Sequence, residues 1–252
     1  MTFNVAAEAY DRYMGRWSVL LSPGLADFAG VRAGQRVVDV GSGPGALTAE
    51  LVARVGSASV AAADPSASFV DAARARYPGV DVRQAPAEAL PFDDASFDAA
   101  LAQLVVHFMA DPVAGLREMA RVTRAGGTVV ASVWDFEGGR GPLGPFWAAA
   151  RELDPDVEDE SHLAGTRAGH LEELFEAAGL QNIERHELAV SRSFADFDEW
   201  WHPFMHGVGP GGAYVGRLDP AAQHALRERC RALLPDGPIT LTAVAWAARG
   251  RP

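Results

Sequence analysis

The sequence has no lysine and a single cysteine, and each shortage limits what the protein can be. With only Cys230 available, no disulfide can form within the chain, so we expect a fold held by its core in a reducing compartment. All 22 basic residues are arginines, they form no basic run, and the formal net charge is -11. Because contacts to phosphates need a basic surface, this charge predicts no nucleic-acid partner.

Long apolar runs are also missing. No segment approaches the ~20 apolar residues of a membrane-spanning helix, and residues 1–17 lack the basic and then apolar pattern of a secretion signal. We therefore expect a cytoplasmic protein with no membrane partner. Hydrophobic residues are plentiful, at 48% of 252, which is enough for the core of one large domain spanning residues 1–252.

Apolar runs of strand length alternate with segments of helical periodicity through most of the chain. The predicted strands are 36–40, 58–63, 80–84, 97–102, 127–134, 182–190 and 238–247. The predicted helices are 6–29, 46–55, 67–77, 112–124 and a segment that ends near Gly179. This alternation predicts an α/β fold with a doubly wound, Rossmann-like, seven-stranded and mostly parallel sheet.

Proline and glycine mark several element boundaries. Ser22 and Pro23 are typical of a helix cap and first helical position, as are Asp111 and Pro112. After residue 135 the pattern weakens, and GGRGPLGP predicts a flexible loop. Residues 1–30 predict lid helices. Residues 191–236 predict a helical cover inserted between the last two strands, because long insertions that return to the same sheet are usually functional.

The turn within VVDVGSGPGA, residues 37–46, is the clearest candidate site. It joins a strand that is apolar on both faces to a helix, and parallel sheets bind ligands at the carboxyl ends of their strands. Gly41, Gly43 and Gly45 have no Cβ, so the backbone can adopt positive φ and a ligand can lie against the main chain.

Two ligand classes fit such a turn, dinucleotides and S-adenosylmethionine. The turn contains G-x-G-x-x-A, and Asp64 ends the next strand, where a carboxylate can bind both ribose hydroxyls. The carboxylate of Asp39 suits an ammonium group and disfavours a pyrophosphate. Pro44 removes an N–H donor that a phosphate would use. The turn therefore favours S-adenosylmethionine, which carries an ammonium, a sulfonium and a ribose but no phosphate.

Four segments resemble, in order, the motifs of class I S-adenosylmethionine-dependent methyltransferases, especially bacterial small-molecule enzymes with the ubiquinone/menaquinone-type methyltransferase domain. They are VVDVGSGPG, AAADPSASFVDAAR, QAPAEALPFDDASFDAALAQLVVHF and RVTRAGGTVVASVWD. YDRYMGRWS near the N-terminus also resembles the lid helix of this subgroup. The resemblance covers nearly the whole chain, and it implies that the protein transfers a methyl group from S-adenosylmethionine to a small-molecule acceptor.

The resemblance also implies which residues bind the cofactor. They are Tyr13, Met14, Arg16, Trp17, Asp39, Gly41, Ser42, Gly43, Asp64, Pro65, Phe69, Ala87, Glu88, Gln103 and Leu104. Arg16 would pair with the methionyl carboxylate and Trp17 would close over the cofactor. In the alternative interpretation, the first helix is merely amphipathic, with Trp17 in the core and Arg16 in solvent.

The adenine site departs from the family pattern. Pro86 stands where relatives often place an aspartate that accepts a hydrogen bond from the adenine amino group. Either Glu88 or the Ala87 backbone replaces that acceptor, or packing alone holds the adenine.

The acceptor side of the reaction is less defined. A sulfonium methyl group is already activated, so the protein mainly aligns the acceptor, although a general base would help a hydroxyl or acidic-carbon acceptor. The candidate bases are His107, His202 and His206. His202 and His206 have i, i+4 spacing but Pro203 between them and no accompanying glutamate, so we predict no metal site.

Aromatic residues in the insertion allow two interpretations. They could line a pocket for an apolar or aromatic acceptor, or they could anchor the insertion to the sheet. The residues concerned are Trp200, Trp201, Phe204, Met205 and Tyr214. Two other functions remain open for the chain, a nicotinamide-dependent oxidoreductase and a binding protein without catalysis.

Overall fold

A computed structural model of the chain describes residues 14–207 and 209–252. Across these residues, seven strands form one sheet in the order β3-β2-β1-β4-β5-β7-β6. The strands are β1 (Val37–Val40), β2 (Val60–Asp64), β3 (Asp81–Gln84), β4 (Phe97–Gln103), β5 (Thr123–Trp134), β6 (Gln181–Phe194) and β7 (Ile239–Arg251). β7 runs antiparallel to both of its neighbours, whereas the pairs among β1 to β5 are parallel. The predicted doubly wound α/β fold is confirmed.

Helices cover both faces of the sheet. They are α1 (Arg16–Ala29), α2 (Ala46–Val55), α3 (Ala67–Arg76), α4 (Pro112–Val122), α5 (Gly144–Leu153), α6 (His170–Ala177), α7 (Phe197–Trp201), α8 (Gly209–Arg217) and α9 (Pro220–Leu233). α2 has the predicted bounds. α4 begins as predicted, since the Asp111 carboxylate accepts the Ala114 N–H at 3.0 Å. No helix in the described ranges is long and apolar enough to cross a membrane.

Two large apolar clusters divide most of the core between the faces, and a small third one lies between β2, β3 and α3. One contains residues of α1, α2, α5 and the α7–α9 segment, together with Leu101 of β4 and Val130 of β5. The other contains α4 and α6 packed on the opposite side chains of the same strands. Cys230 is fully buried in the first cluster, and burial raises the pKa of its thiol to about 12. This cysteine therefore has a packing role, as its helical surroundings indicate.

The predicted helix start at Ser22 and Pro23 is wrong. Both residues lie inside α1, which begins seven residues earlier, at Arg16. The missing proline N–H would have bonded the carbonyl of Val19, whose residue is exposed, so water can replace that bond. The Ser22 hydroxyl donates to the Ser18 carbonyl at 2.8 Å and follows the helix instead of capping it.

The last two strands are longer than the apolar pattern predicts. β7 pairs with β5 only as far as Trp134↔Ala245, whereas β6 and β7 continue for six further pairs, from Ala189↔Val244 to Phe194↔Ile239. The resulting two-stranded ribbon extends past the carboxyl end of β5. Helices α7, α8 and α9 connect the two strands at the far end of this ribbon.

The segment after β5 is not the loose loop that its glycines predict. The Asp135 carboxylate accepts the Gly138 N–H at 2.9 Å and forms an ion pair with Arg140. The backbone carbonyl of Arg140 in turn accepts the Val244 N–H at 2.8 Å. The segment is thus fixed to the sheet, and α5, which the sequence analysis missed, follows it directly.

Candidate functional site

The candidate site lies where the strand order of the sheet reverses, between β1 and β4. The glycine turn follows β1, and residues 104–108 leave the end of β4 beside it. In doubly wound sheets this reversal opens a crevice at the carboxyl ends of the strands. The predicted location of the site is therefore the one that the topology provides.

The glycine turn uses its own N–H groups within the protein. Gly41 and Ser42 both donate to the Ala63 carbonyl, at 2.7 and 3.0 Å, and Gly45 donates to the Ser42 carbonyl at 3.0 Å. Gly43 donates to the Asp64 carboxylate at 2.8 Å. Pro44 has no N–H, so the turn has four N–H donors from residue 41 to residue 45, and all four are engaged. The turn is a poor cradle for a phosphate, which would need those donors.

Glycine is required at this turn for two different reasons. Gly41, Gly43 and Gly45 all have positive φ, at 70°, 55° and 102°. A Cβ at Gly41 would collide with the Val105 side chain and one at Gly45 with the Tyr77 ring, whereas a Cβ at Gly43 would meet nothing within 4 Å. Protein side chains therefore fill the space that a Cβ would need at Gly41 and Gly45, whereas at Gly43 that space is open.

Two buried carboxyl groups flank the turn. Asp39 is 1% exposed and accepts the Thr48 hydroxyl at 2.6 Å. Burial raises the pKa of Asp39 to about 7, despite that hydrogen bond, and the nearby carboxyl of Asp64 adds to the rise. A buried acid in this state favours a cation beside it, because a cation would remove the cost of ionisation.

Asp64 is held in place by main-chain donors. One carboxylate oxygen accepts the Gly43 N–H and the other accepts the Ser66 N–H, both at 2.8 Å. Burial raises the pKa of Asp64, and these two bonds oppose the rise. Since a carboxylate has about four acceptor positions, each oxygen can accept one more hydrogen bond, as from a pair of ribose hydroxyls.

The residues predicted around the adenine lie beside the ends of β2 and β3. Phe69 and Ala87 are buried, and Pro65 is exposed. Glu88 already uses one carboxylate oxygen, which accepts the N–H groups of Ala110 and Asp111 at 2.7 and 3.1 Å. This engagement weighs against Glu88 as the replacement for the missing aspartate and favours packing or the backbone.

The chain leaves β4 through a strained residue. Leu104 has φ of 61°, which is costly for a residue with a Cβ, and its N–H donates to the Ser132 carbonyl at 2.8 Å. Gln103, just before it, donates its side-chain N–H to the Ser18 carbonyl of α1 at 3.0 Å. These two bonds fix Gln103 and Leu104 at the end of β4, where the sequence analysis placed them, and they join Gln103 to α1. Their predicted contact with the methionyl group stays a prediction.

The predicted lid residues separate into two environments. Trp17 is 4% exposed, and its ring meets the Trp134 ring edge-on, with 6.4 Å between centroids. Met14 is partly buried against the same cluster, whereas Arg16 is half-exposed and lies 3.7 Å from Glu199. This placement matches the interpretation with Trp17 in the core and Arg16 in solvent. Tyr13 lies outside the described residues.

A cavity of about 360 Å³ lies between the start of α1, the start of α2 and the end of α3. Arg16, Ala46 and Arg76 are among its lining residues. Arg16 therefore faces a space that reaches the N-terminus of α2, directly after the glycine turn. An anionic group in this space would meet a guanidinium group and the N-terminal end of a helix. The carboxylate of Glu50, which also lines the space, is paired with Arg54 at 2.7 Å.

The three candidate histidines lie in different environments. His107 is buried in the turn after β4, burial lowers its pKa to about 3, and its Nδ1 has no partner among the described residues. His202 and His206 are exposed, with their Nε2 atoms 3.0 Å apart. The described ranges hold no group of three side chains able to bind a metal ion. The structure thus places only His107 near the end of β4.

Aromatic residues of the insertion form a continuous packed cluster with α5. Phe146 stacks on Phe204 with 4.4 Å between ring centroids, and Trp147 lies 5.9 Å from Tyr214. The predicted residues Trp200, Trp201, Phe204 and Tyr214 are buried, and Met205 is 49% exposed. This packing favours the interpretation that these residues anchor the insertion.

Several site residues were missed by the sequence analysis. Thr48 bonds Asp39 from the first turn of α2, and Glu160 is buried with the Trp147 indole N–H bonded to it at 3.1 Å. Burial raises the pKa of Glu160 to about 7. Ser132 and Trp134 are buried at the end of β5, and Oγ of Ser132 and Nε1 of Trp134 have no partner within residues 14–207 and 209–252. For Ser132 and Trp134, the sequence offered one signal, a serine inside the apolar run of β5.

Comparisons with known proteins agree with this geometry. The family model of the methyltransferase domain matches residues 38–131. An uncharacterised protein of Mycobacterium tuberculosis is 29% identical over 246 residues, covering 91% of this chain and 86% of the relative. The malonyl-[acyl-carrier protein] O-methyltransferase of Erwinia billingiae is 37% identical over 130 residues, covering 52% of this chain and 51% of that enzyme.

The fold has a similar counterpart among solved structures. The crystal structure of an S-adenosylmethionine-dependent methyltransferase from Thermotoga maritima superimposes with a TM-score of 0.55 at 18% identity. The match covers 97% of this chain and 99% of that one. The two proteins therefore share the α/β fold.

Proposed function

The chain is a class I S-adenosylmethionine-dependent methyltransferase, and from that premise we propose that it transfers the methyl group directly to a small-molecule acceptor. One observation carries the choice of cofactor. Every N–H of the glycine turn is engaged within the protein, while two buried carboxyl groups, Asp39 and Asp64, flank it. Such a site suits an ammonium group and a ribose, and the turn itself leaves no free N–H donor for a pyrophosphate.

The residues present fit S-adenosylmethionine group by group. Asp39 would hold the ammonium group, and Asp64 would accept hydrogen bonds from the ribose hydroxyls. Arg16, on the cavity beside the start of α2, would pair with the methionyl carboxylate. Phe69 and Ala87 would pack on the adenine. When bound, the cofactor supplies a methyl group already activated by positively charged sulfur.

The protein's own contribution is alignment and exclusion of water. The end of β4, with the strained Leu104, sets the floor of the crevice, and α1 closes it from above through the Gln103 bond to Ser18. Holding an acceptor in line replaces much of the entropic barrier. His107 is neutral at physiological pH, because burial lowers its pKa to about 3, so it would be a weak base in this environment.

The acceptor side rests on charge and packing. A formal net charge of -11 opposes a nucleic-acid acceptor. We propose an apolar or aromatic small molecule as the acceptor, since the face of the sheet beneath the cover is apolar. His202 and His206, exposed on the cover, have no role in this proposal.

Titration calorimetry tests the cofactor. We expect S-adenosylhomocysteine to bind in the micromolar range and NAD not to bind at the same protein concentration. Binding of NAD alone would refute the proposal and revive the oxidoreductase interpretation.

A product assay separates an enzyme from a binding protein. The protein is incubated with S-adenosylmethionine carrying a deuterated methyl group and a panel of apolar hydroxyl, amine and carboxylate compounds. Mass spectrometry should then find one labelled product together with S-adenosylhomocysteine. Tight cofactor binding without product from any chemical class would favour a protein that binds the cofactor without turnover.

A further inference from the structure

Buried polar atoms without partners concentrate at one place in the described part of the chain. Of five such side-chain atoms, three are Gln103 Oε1, Ser132 Oγ and Trp134 Nε1. Gln103 lies opposite Ser132 in the β4–β5 register, and Trp134 is two residues further along the same face. Each unpartnered buried group is unfavourable, so three of them at neighbouring positions on one face of the sheet point to a ligand that completes their hydrogen bonds.

The hydrogen bond to α1 defines what Gln103 offers. A carbonyl only accepts, so the atom that contacts the Ser18 carbonyl at 3.0 Å must be the amide nitrogen of Gln103. Its Oε1 is therefore the free atom, and it needs a donor. Trp134 Nε1 is a donor and needs an acceptor, while the Ser132 hydroxyl can do either.

A hydroxyl group meets both demands with one oxygen atom. It donates one hydrogen bond and accepts others, whereas a carboxylate cannot donate and an ammonium group cannot accept. The surroundings are otherwise apolar: Leu101 and Val130 precede these residues on the same face, and Trp17 lies edge-on to Trp134. The ligand that fits is an apolar molecule with a hydroxyl group.

We propose that Gln103, Ser132 and Trp134 bind a hydroxyl group of the acceptor and thereby select hydroxyl-bearing apolar substrates. The proposal rests on the proposed function, because it assigns these residues to the acceptor of the methyl group. They lie next to Leu104, at the end of β4 where the candidate cofactor crevice begins. No proton transfer is assigned to them, since an amide oxygen and an indole N–H are neither useful bases nor useful acids.

Fluorine NMR with two small probes tests this site. 4-Fluorophenol and fluorobenzene differ by one hydroxyl group, and each is titrated with and without saturating S-adenosylhomocysteine. We expect 4-fluorophenol to bind at least fivefold more tightly than fluorobenzene to the wild-type protein. In Ser132→Ala and in Trp134→Phe, this ratio should fall below twofold, while thermal unfolding reports whether each variant is folded.

Trp246→Phe is the matched control. Its indole N–H is also buried and unpartnered, but Trp246 lies opposite Val133 in the β5–β7 register and so faces the other side of the sheet. The fivefold ratio should survive in this variant. A wild-type ratio near one, or a ratio that persists in both Ser132→Ala and Trp134→Phe, would overturn the proposal and leave ordered water as the occupant.

The two proposals fail in different ways. Loss of the fluorophenol preference with normal S-adenosylhomocysteine binding would refute only the hydroxyl site. Absence of S-adenosylhomocysteine binding with an intact fluorophenol preference would refute the proposed function and leave a hydroxyl-binding site of another kind.

Discussion

The two halves of the sheet are built by different means. In the half formed by β3, β2, β1 and β4, the strands have four to seven residues. Hydrogen bonds to the main chain fix the N–H groups of the glycine turn after β1 and the carboxylate of Asp64 at the end of β2. In the half formed by β5, β7 and β6, strands of twelve to fourteen residues carry aromatic clusters and a helical cover. The first half is specified by backbone geometry, and the second by the packing of large side chains.

This contrast separates a part of the fold that tolerates few substitutions from a part that tolerates many. A backbone turn tolerates few residue types, so it suits a ligand that never changes, such as the cofactor. Aromatic packing can be rebuilt with other residues, so the second half can change its shape without loss of the fold. The family model accordingly matches residues 38–131, which end within β5.

Loss of an aromatic ring in the second half should have the largest effect on stability and almost none on the affinity for the cofactor. Phe146→Ala removes a fully buried ring stacked on Phe204, so we expect a loss of about 3–5 kcal/mol in the free energy of unfolding. Chemical denaturation measures it, and Leu153→Ala, in the same helix but 49% exposed, is the control. At 10 °C the folded Phe146→Ala protein should bind S-adenosylhomocysteine within twofold of the wild type. A large drop would show that the halves are coupled.

A pair of glycine substitutions sharpens the account of the turn. Gly41→Ala places a Cβ against Val105 at positive φ, so it should cost about 2–3 kcal/mol of stability. Gly43→Ala meets open space and should cost only about 1 kcal/mol. Urea unfolding of both variants gives the comparison. Equal costs would contradict the distinct reasons assigned to the two glycines.

Asp64→Asn, in the first half of the sheet, should weaken cofactor binding. The amide cannot accept the Gly43 and Ser66 N–H groups together and also two ribose hydroxyls, so calorimetry should show S-adenosylhomocysteine binding about 10- to 100-fold weaker. Asp81→Asn, which removes an exposed ion pair with Arg83, is the control and should bind normally. Unchanged affinity in Asp64→Asn would mean that this acid does not contact the cofactor.

The smallest effect expected is a gain in stability from Asp39→Asn. Folding raises the pKa of Asp39 from 3.8 to about 7. The stability that protonated Asp39 gives to the folded protein is therefore fully present below pH 4 and is lost as the pH rises through 7. The ligand-free variant should therefore exceed the wild type by roughly 1–2 kcal/mol at pH 8 and by less at pH 5.

Asp39→Asn should have the opposite effect on ligand binding, which it should weaken. Wild-type affinity for S-adenosylhomocysteine should rise between pH 6 and pH 8 as Asp39 ionises, whereas Asp39→Asn should bind more weakly and without that rise. Thermal unfolding and calorimetry at three pH values check both parts. Parallel pH profiles for the two proteins would disprove the role of Asp39 as partner of the ammonium group.

Local signals predicted the first half well. The bounds of α2 follow from its apolar spacing after a glycine turn, and α4 begins at Pro112 because Asp111 caps it. The same kind of signal failed at Pro23, since an exposed proline can sit inside a helix whose other face is buried. The positions of Asp39 and Asp64 at the ends of β1 and β2 could be predicted because motif spacing places both there, whereas their contacts with the cofactor stay predictions.

Elements that depend on distant partners could not be predicted. The ends of β6 and β7 are polar, and they pair through hydroxyl groups of residues about 50 positions apart, Ser191 with Thr242 and Ser193 with Thr240. α5 begins in a glycine-rich segment and is stabilised by Phe146 packing on the cover. Ser132 and Trp134 looked like ordinary core positions, because only the register reveals Gln103 beside them.

The position of β7 between β5 and β6 has a consequence for the order of assembly. β6 is synthesised before β7. Its neighbour in the sheet is nevertheless β7, which begins 45 residues after β6 ends. Until β7 arrives, β5 and β6 each expose an open edge to other chains. The last strand to be made is thus the one that closes the sheet, and a nascent chain without it is the species most exposed to aggregation.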